Sequence, residues 1–208
     1  MATQINDQQL IQVIEAALFV ADQPLTPVAL RDSALQQFVV PLPRIRDALE
    51  QLRQDYLSRG VNLVEVGSGF RFQTAPAVSE QIAMMWSERA PRYSRATLET
   101  LSLIAYRQPI TRAEIEDVRG VSVSTQIIKT LQERGWIKVV GHKEVPGRPS
   151  LWATTPVFLD YFGLKSLSEL PELEMPENAR ELALANEYPL LNTDPEALQK
   201  QPAEANDN

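Results

Sequence analysis

A four-residue pattern occurs twice in the 208-residue chain and limits what it can fold into more than any other feature. An apolar helical run ends at Gln23-Pro24, after which Leu25-Thr26 opens a second helical run; Gln108-Pro109 and Ile110-Thr111 repeat the arrangement. Proline lacks an amide hydrogen and fixes its own φ, so it stops the first run, while threonine caps the free amides of the next. The correspondence continues in order, pairing Arg59-Gly60 with Arg134-Gly135, Val66-Gly67 with Val140-Gly141, and Thr74-Ala75-Pro76 with Thr154-Thr155-Pro156. The separation between partners drifts, which places an extra stretch at Phe38 to Pro43 in the first copy and a longer hairpin loop in the second. One small module is expected twice in tandem.

The order of elements within each copy follows from punctuation and periodicity. In the first, Leu10, Ile11, Ile14, Ala17 and Leu18 recur at helical spacing behind Asn6 or Asp7. Thr26-Pro27 then opens a short helix over Val28 to Leu35, and a third helix runs from about Arg44 to Ser58. VNLVEV (61–66) and FRFQTA (70–75) alternate around a Gly-Ser-Gly turn, which reads as a β-hairpin, and a further helix is expected over Ala77 to Ser87. The second copy predicts helices from Ser94 to about Tyr106, from Thr111 with a capping box at Glu114, and over Ser122 to Arg134. Strands at Trp136 to Val140 and Ser150 to Thr154 and a closing helix over Pro156 to Phe162 complete it. Three helices followed by a hairpin is the order of a winged helix-turn-helix. The expected fold is therefore mostly helical α+β, with winged-helix domains at 1–88 and 89–170. Beyond Pro171 the chain is acidic and poorly periodic, so 171–208 is expected to be a disordered tail with at most a short helix near Ala179 to Asn186.

Composition removes several function classes. The chain has no Cys and a single His142, which excludes disulfides, thiol nucleophiles and histidine clusters and leaves only carboxylates for metal chemistry. His142 stands alone among Lys and Gly, so no Ser/His/Asp constellation forms. The glycine turn lies between strands and no Gly-Lys-Ser/Thr follows it, so it is not a phosphate loop. An enzyme is not expected, and neither is a cofactor. No apolar stretch is long enough to span a bilayer, and the N-terminus lacks the layout of a signal peptide, so a cytoplasmic protein without membrane contact is expected.

The formal net charge of −7 is unevenly spread. Residues 1–90 carry seven basic and ten acidic side chains, residues 91–152 ten and six, and residues 153–208 three and eleven. The second copy is thus mildly basic without the dense stripe of a strong nucleic-acid binder. Its third helix would be the reading helix of a DNA-binding protein, presenting Ser122, Ser124, Thr125, Gln126 and Lys129. Lys143 and Arg148, in the Pro-Gly-Arg-Pro loop, could lie on a phosphate backbone, although such a stiff turn also holds a hairpin with no ligand at all.

At LETLSLIAYRQPITRAEIEDVRGV and again at VPGRPSLWATTPVFLDYFGLKSLSELPEL, the chain resembles the segregation and condensation protein B family, the winged-helix "kite" subunits of bacterial condensin. The resemblance covers about Leu10 to Leu173 and departs from the family at Val123 and Gln126 to Ile128, where a more polar helix start is usual. It implies a non-enzymatic, nucleoid-associated homodimer that joins mainly through its N-terminal domain. It implies a kleisin (ScpA-like) partner, through which an SMC ATPase is bound, and a role in chromosome condensation and segregation at cell division. Leu10, Ile11, Ile14 and Leu18 are then candidates for the dimer face. Tyr106, Arg107, Arg112 and Arg119, arginines gathered near an aromatic, are candidates for kleisin contact. Lys129, Lys143 and Arg148 remain candidates for weak or indirect DNA contact. The alternative is a winged-helix transcription regulator that binds DNA by itself.

Overall fold

The computed structural model describes residues 4–85 and 93–172, and those up to Leu170 form one compact unit. The unit mixes helices with two small antiparallel sheets, and it has two separate buried clusters, one per half.

The N-terminal half begins with α1 (Asp7–Val20), where the Asn6 side chain accepts the Gln9 amide at 2.8 Å. Leu10, Ile14 and Leu18 of α1 are buried against Leu30, Leu35, Ile45, Leu49, Leu52 and Leu63. Each such side chain stabilises the fold by roughly 1.5–3 kcal/mol, whereas an end cap contributes about 1 kcal/mol. Packing therefore makes α1 helical, and Asn6 decides where it starts. Thr26 caps α2 (Pro27–Asp32) by accepting the Ala29 amide at 3.0 Å. This helix is shorter than the expected Val28 to Leu35, because the backbone turns at Ser33 and drops Leu35 into the core from outside the helix. Conversely, α3 (Leu42–Asp55) starts earlier than expected: Pro41 sits at its cap and Pro43 in its first turn, where a missing N–H costs nothing.

Strands β1 (Val61–Val66) and β2 (Gly69–Thr74) form the hairpin, with Val66 opposite Gly69 and only Gly67-Ser68 between them. Leu25 adds an isolated bridge to Phe70, with both amide-to-carbonyl bonds at 2.9 Å. This crossing depends on Gly69, which has φ +135°; a Cβ there would lie 2.5 Å from the Leu25 carbonyl carbon. The expected helix at 77–87 is a 3-10 turn, Pro76–Val78, followed by the short α4 (Ser79–Ala83), and the last two residues of that span lie outside the described residues.

In the C-terminal half, Ser94 caps α5 (Arg95–Arg107), and the next turn carries a cis Gln108-Pro109 bond. The two-residue strand β3 (Ile110–Thr111) leads into α6 (Arg112–Arg119), which has the expected capping box and a left-handed Gly120 at its end. Helix α7 (Thr125–Glu133) begins later than the expected Ser122, because the Val123 amide donates to Glu116 Oε1 at 2.8 Å and Ser124 becomes the cap. Strands β4 (Ile137–His142) and β5 (Ser150–Thr154) pair antiparallel with a register break between Val139 and Gly141, and β3 joins the far edge of β5. The closing helix α8 (Pro156–Phe162) ends at left-handed Gly163, as its sequence indicates.

The repeated motif thus does the same work in both halves. Leu25 pairs with Phe70, and Ile110 pairs with Trp152; in each case the following threonine caps the second helix. The expected tail lies outside the described residues apart from Pro171 and Glu172, as does the expected boundary at 88 and 89.

Candidate partner-binding surfaces

The apolar stripe of α1 belongs to its own core. Leu10 is 1% exposed, Ile14 0% and Leu18 4%, while Ile11 is half-buried against the same cluster. What α1 offers outward is different. Phe19, 80% exposed, joins Gln12, Ala16, Tyr56, Val61 and Phe72 around a cavity of about 390 Å³. Tyr56 lines it: its hydroxyl donates to Glu15, which raises the phenol's pKa, and its ring lies 4.7 Å from that of Phe72 at a tilt of 48°. Sequence reasoning missed this concavity. The signal was Phe19, one residue out of phase with the buried stripe.

The C-terminal candidates divide. Tyr106 and Arg107 lie exposed at the end of α5, and Arg107 flanks a groove with Pro109, Ile110, Asp117 and Val118. Arg112 leans along α6 to Glu116 at 3.0 Å and reaches Thr125 at 3.2 Å. Arg119, by contrast, is a packing residue: its side chain is only 9% exposed and pairs with Glu99 of α5 at 3.1 Å. Arg95 and Arg119 together pull the Glu99 carboxyl below its ordinary pKa. Two of the four candidates therefore hold helices to one another, and two face solvent.

Each candidate DNA contact is matched by a carboxylate. Lys129 faces Glu133 at 3.7 Å, Arg148 faces Glu144 at 3.0 Å, and Lys143 reaches Glu114 at 2.6 Å. Glu114 is the focus of a small network: it accepts from Lys143, from the Thr111 amide at 2.7 Å and from the Thr111 hydroxyl at 2.8 Å. Lys143 first, then Thr111, lower its pKa to about 2. Glu116 is likewise lowered, by the Val123 amide and then Arg112. Lys143 ties the β4–β5 loop to α6, whereas the Lys129 and Arg148 pairs are mostly exposed and weak, and each carboxylate lowers the positive charge a phosphate would meet.

Trp136 is 1% exposed at the centre of an aromatic cluster, with Tyr161 at 4.6 Å, Tyr93 at 5.1 Å and Phe162 at 5.4 Å. Among the described residues, no group of three or more acidic, histidine or cysteine side chains could hold a metal ion, and no helix is long and apolar enough to cross a membrane.

Residues 12–173 match the family described as segregation and condensation complex subunit ScpB. A segregation and condensation protein B homolog of Coxiella burnetii is 56% identical over 162 residues, covering 78% of each chain. Segregation and condensation protein B of Syntrophotalea carbinolica is 43% identical over 168 residues, 80% of this chain and 83% of its own. The crystal structure of ScpB from Mycobacterium tuberculosis is 33% identical and covers 78% of this chain and 99% of its own, with a TM-score of 0.37. With the match running from within α1 to beyond the last described residue, the chain belongs to the ScpB family of segregation and condensation complex subunits.

Proposed function

We propose that the chain is a non-enzymatic adaptor of an SMC–kleisin complex, built of winged-helix domains at 1–88 and 89–170 with an acidic tail at 171–208. It works in the cytoplasm at the nucleoid, dimerises, and binds the kleisin subunit to support chromosome condensation and segregation. The observation that supports this reading beyond family membership is that Lys129, Lys143 and Arg148, the cations a DNA-reading winged helix would use, each have a carboxylate within 3.7 Å, so these positions present little net positive charge. Winged helices so disposed suit protein contacts, and DNA is reached through the partners.

The dimer face is assigned to the concavity around Phe19 instead of Leu10, Ile14 and Leu18, which the core consumes. An exposed aromatic beside an apolar hollow is self-complementary across a twofold axis, each Phe19 filling the other copy's cavity. Phe19→Asp should yield a folded monomer by light scattering, whereas Ile14→Asp should unfold the N-terminal half. A Phe19→Asp protein that stays dimeric rejects the assignment. Kleisin contact is assigned to Tyr106 and Arg107 with the groove that Arg107 flanks.

The test of the whole reading is co-elution in size-exclusion chromatography with light scattering, using the central fragment of the cognate kleisin beside duplex DNA. A dimer that carries the fragment and leaves DNA in solution supports it. Salt-sensitive DNA binding without fragment binding would make the chain an autonomous transcription regulator.

A further inference from the structure

The N-terminal hairpin does not end in solvent. Its Gly67-Ser68 turn abuts α8 of the other half, and three polar contacts surround that point. The Ser68 amide donates to Asp160 Oδ1 at 2.9 Å, Arg71 Nη2 donates to the Asp160 carbonyl at 2.7 Å, and Lys165 Nζ meets Glu65 Oε2 at 2.6 Å. Gly67 completes the fit: a Cβ on it would stand 2.8 Å from Leu159 Cβ and 2.9 Å from Leu159 Cδ1. The δ-methyl could turn away, but Cβ is fixed to the α8 backbone, so a side chain at position 67 would force the two surfaces apart.

We infer that this hairpin is a latch that fixes the orientation of the two halves. Three features set it apart from ordinary core packing. The contacts come from one turn and its flanking strands, against one short helix and the residues after it. The ion pair at its rim is half-exposed, with side chains 57% and 36% accessible, so water can replace it. Arg71 also buries its Nε without a partner while its Nη2 holds Asp160, so the closed state leaves one donor unsatisfied that opening would hydrate.

The absence of cysteine makes the test direct. Gln51→Cys on α3 and Gln132→Cys on α7, both exposed, carry spin labels, and the labelled chain is diluted into unlabelled protein so that only intra-chain distances are read. The parent should give one narrow distance distribution. Gly67→Ala should broaden and shift it, because alanine suits that backbone but collides with Leu159. Glu65→Lys should broaden it less, and adding Lys165→Glu should narrow it again. Retained near-ultraviolet signals from buried Trp136, with unchanged hydrogen exchange in α1 and α3, would show that both halves remain folded. A distribution already broad in the parent, or one that Gly67→Ala leaves unchanged, overturns the latch.

Discussion

In the N-terminal half, the start of α2 is tied to the hairpin by backbone alone: Leu25 and Phe70 exchange two hydrogen bonds, and Gly69 clears the way for Thr26. In the C-terminal half, Leu151 occupies the register position of Gly69, opposite Thr111, and the junction is a regular ladder. Its tightening comes instead from charge, through Glu114 held by Thr111 and by Lys143 of the wing loop. One junction is closed by removing a side chain, the other by adding two, Glu114 and Lys143, to the shared threonine. The contrast extends outward: lowered carboxylates Glu99, Glu114 and Glu116 link separate elements in the C-terminal half, while Asp32 and Glu50 pair only within their own helices. Equivalent positions in a repeated scaffold need equivalent roles, not equivalent chemistry.

The comparison breaks most readily at Gly69. Gly69→Ala would combine a positive φ with a backbone collision, for an expected loss of about 3 kcal/mol. Hydrogen exchange should show that loss in α1 to β2 and leave α5 to β5 protected; uniform loss would mean the halves are not separately closed.

The threonine caps give a finer test. Thr26→Ala removes one cap bond and should cost about 1 kcal/mol. Thr111→Ala also strips a buried hydroxyl from Glu114 and should cost nearer 2 kcal/mol by chemical denaturation. Equal costs would show that the capping box adds nothing beyond the cap.

Acid separates the halves next. Glu114 titrates at about 2 in the folded chain, below its ordinary 4.5, so its contribution is complete above about 4.5 and drains away as pH falls towards 2. The C-terminal half should therefore lose stability faster through that window, read by hydrogen exchange in α5 to β5 against exchange in α1. Lys143→Met should flatten the difference while costing only about 0.5 kcal/mol at neutral pH, since the pair is partly exposed. An identical acid profile in that variant would assign the effect to Thr111 alone.

Much of this was legible because it is local. Proline, glycine and cap residues sit within a few positions of the ends they define, so the element order and the capping box at Thr111 could be read directly. The misplaced ends share a cause: Leu35 looks helical by period yet is drawn in from a turn, and the start of α7 is set by Glu116 of another helix. The candidate sites were harder for the same reason. Arg119 reads as an exposed anchor until Glu99, twenty positions away, is found beside it, and an apolar stripe such as Leu10, Ile14 and Leu18 says only that something covers it. Nothing near Gly67 announces Leu159.

The bridge from Leu25 to Phe70 has a consequence for how the chain is made. The backbone pairings of β1 with β2 and of Leu25 with Phe70, together with the buried residues of the N-terminal cluster, lie before residue 75. Synthesis runs from the N-terminus at about 5–20 residues per second, so this half has all its closing partners several seconds before Asp160 leaves the ribosome. The hairpin turn has its partners first, and the second half emerges beside a surface that already has all it needs to form.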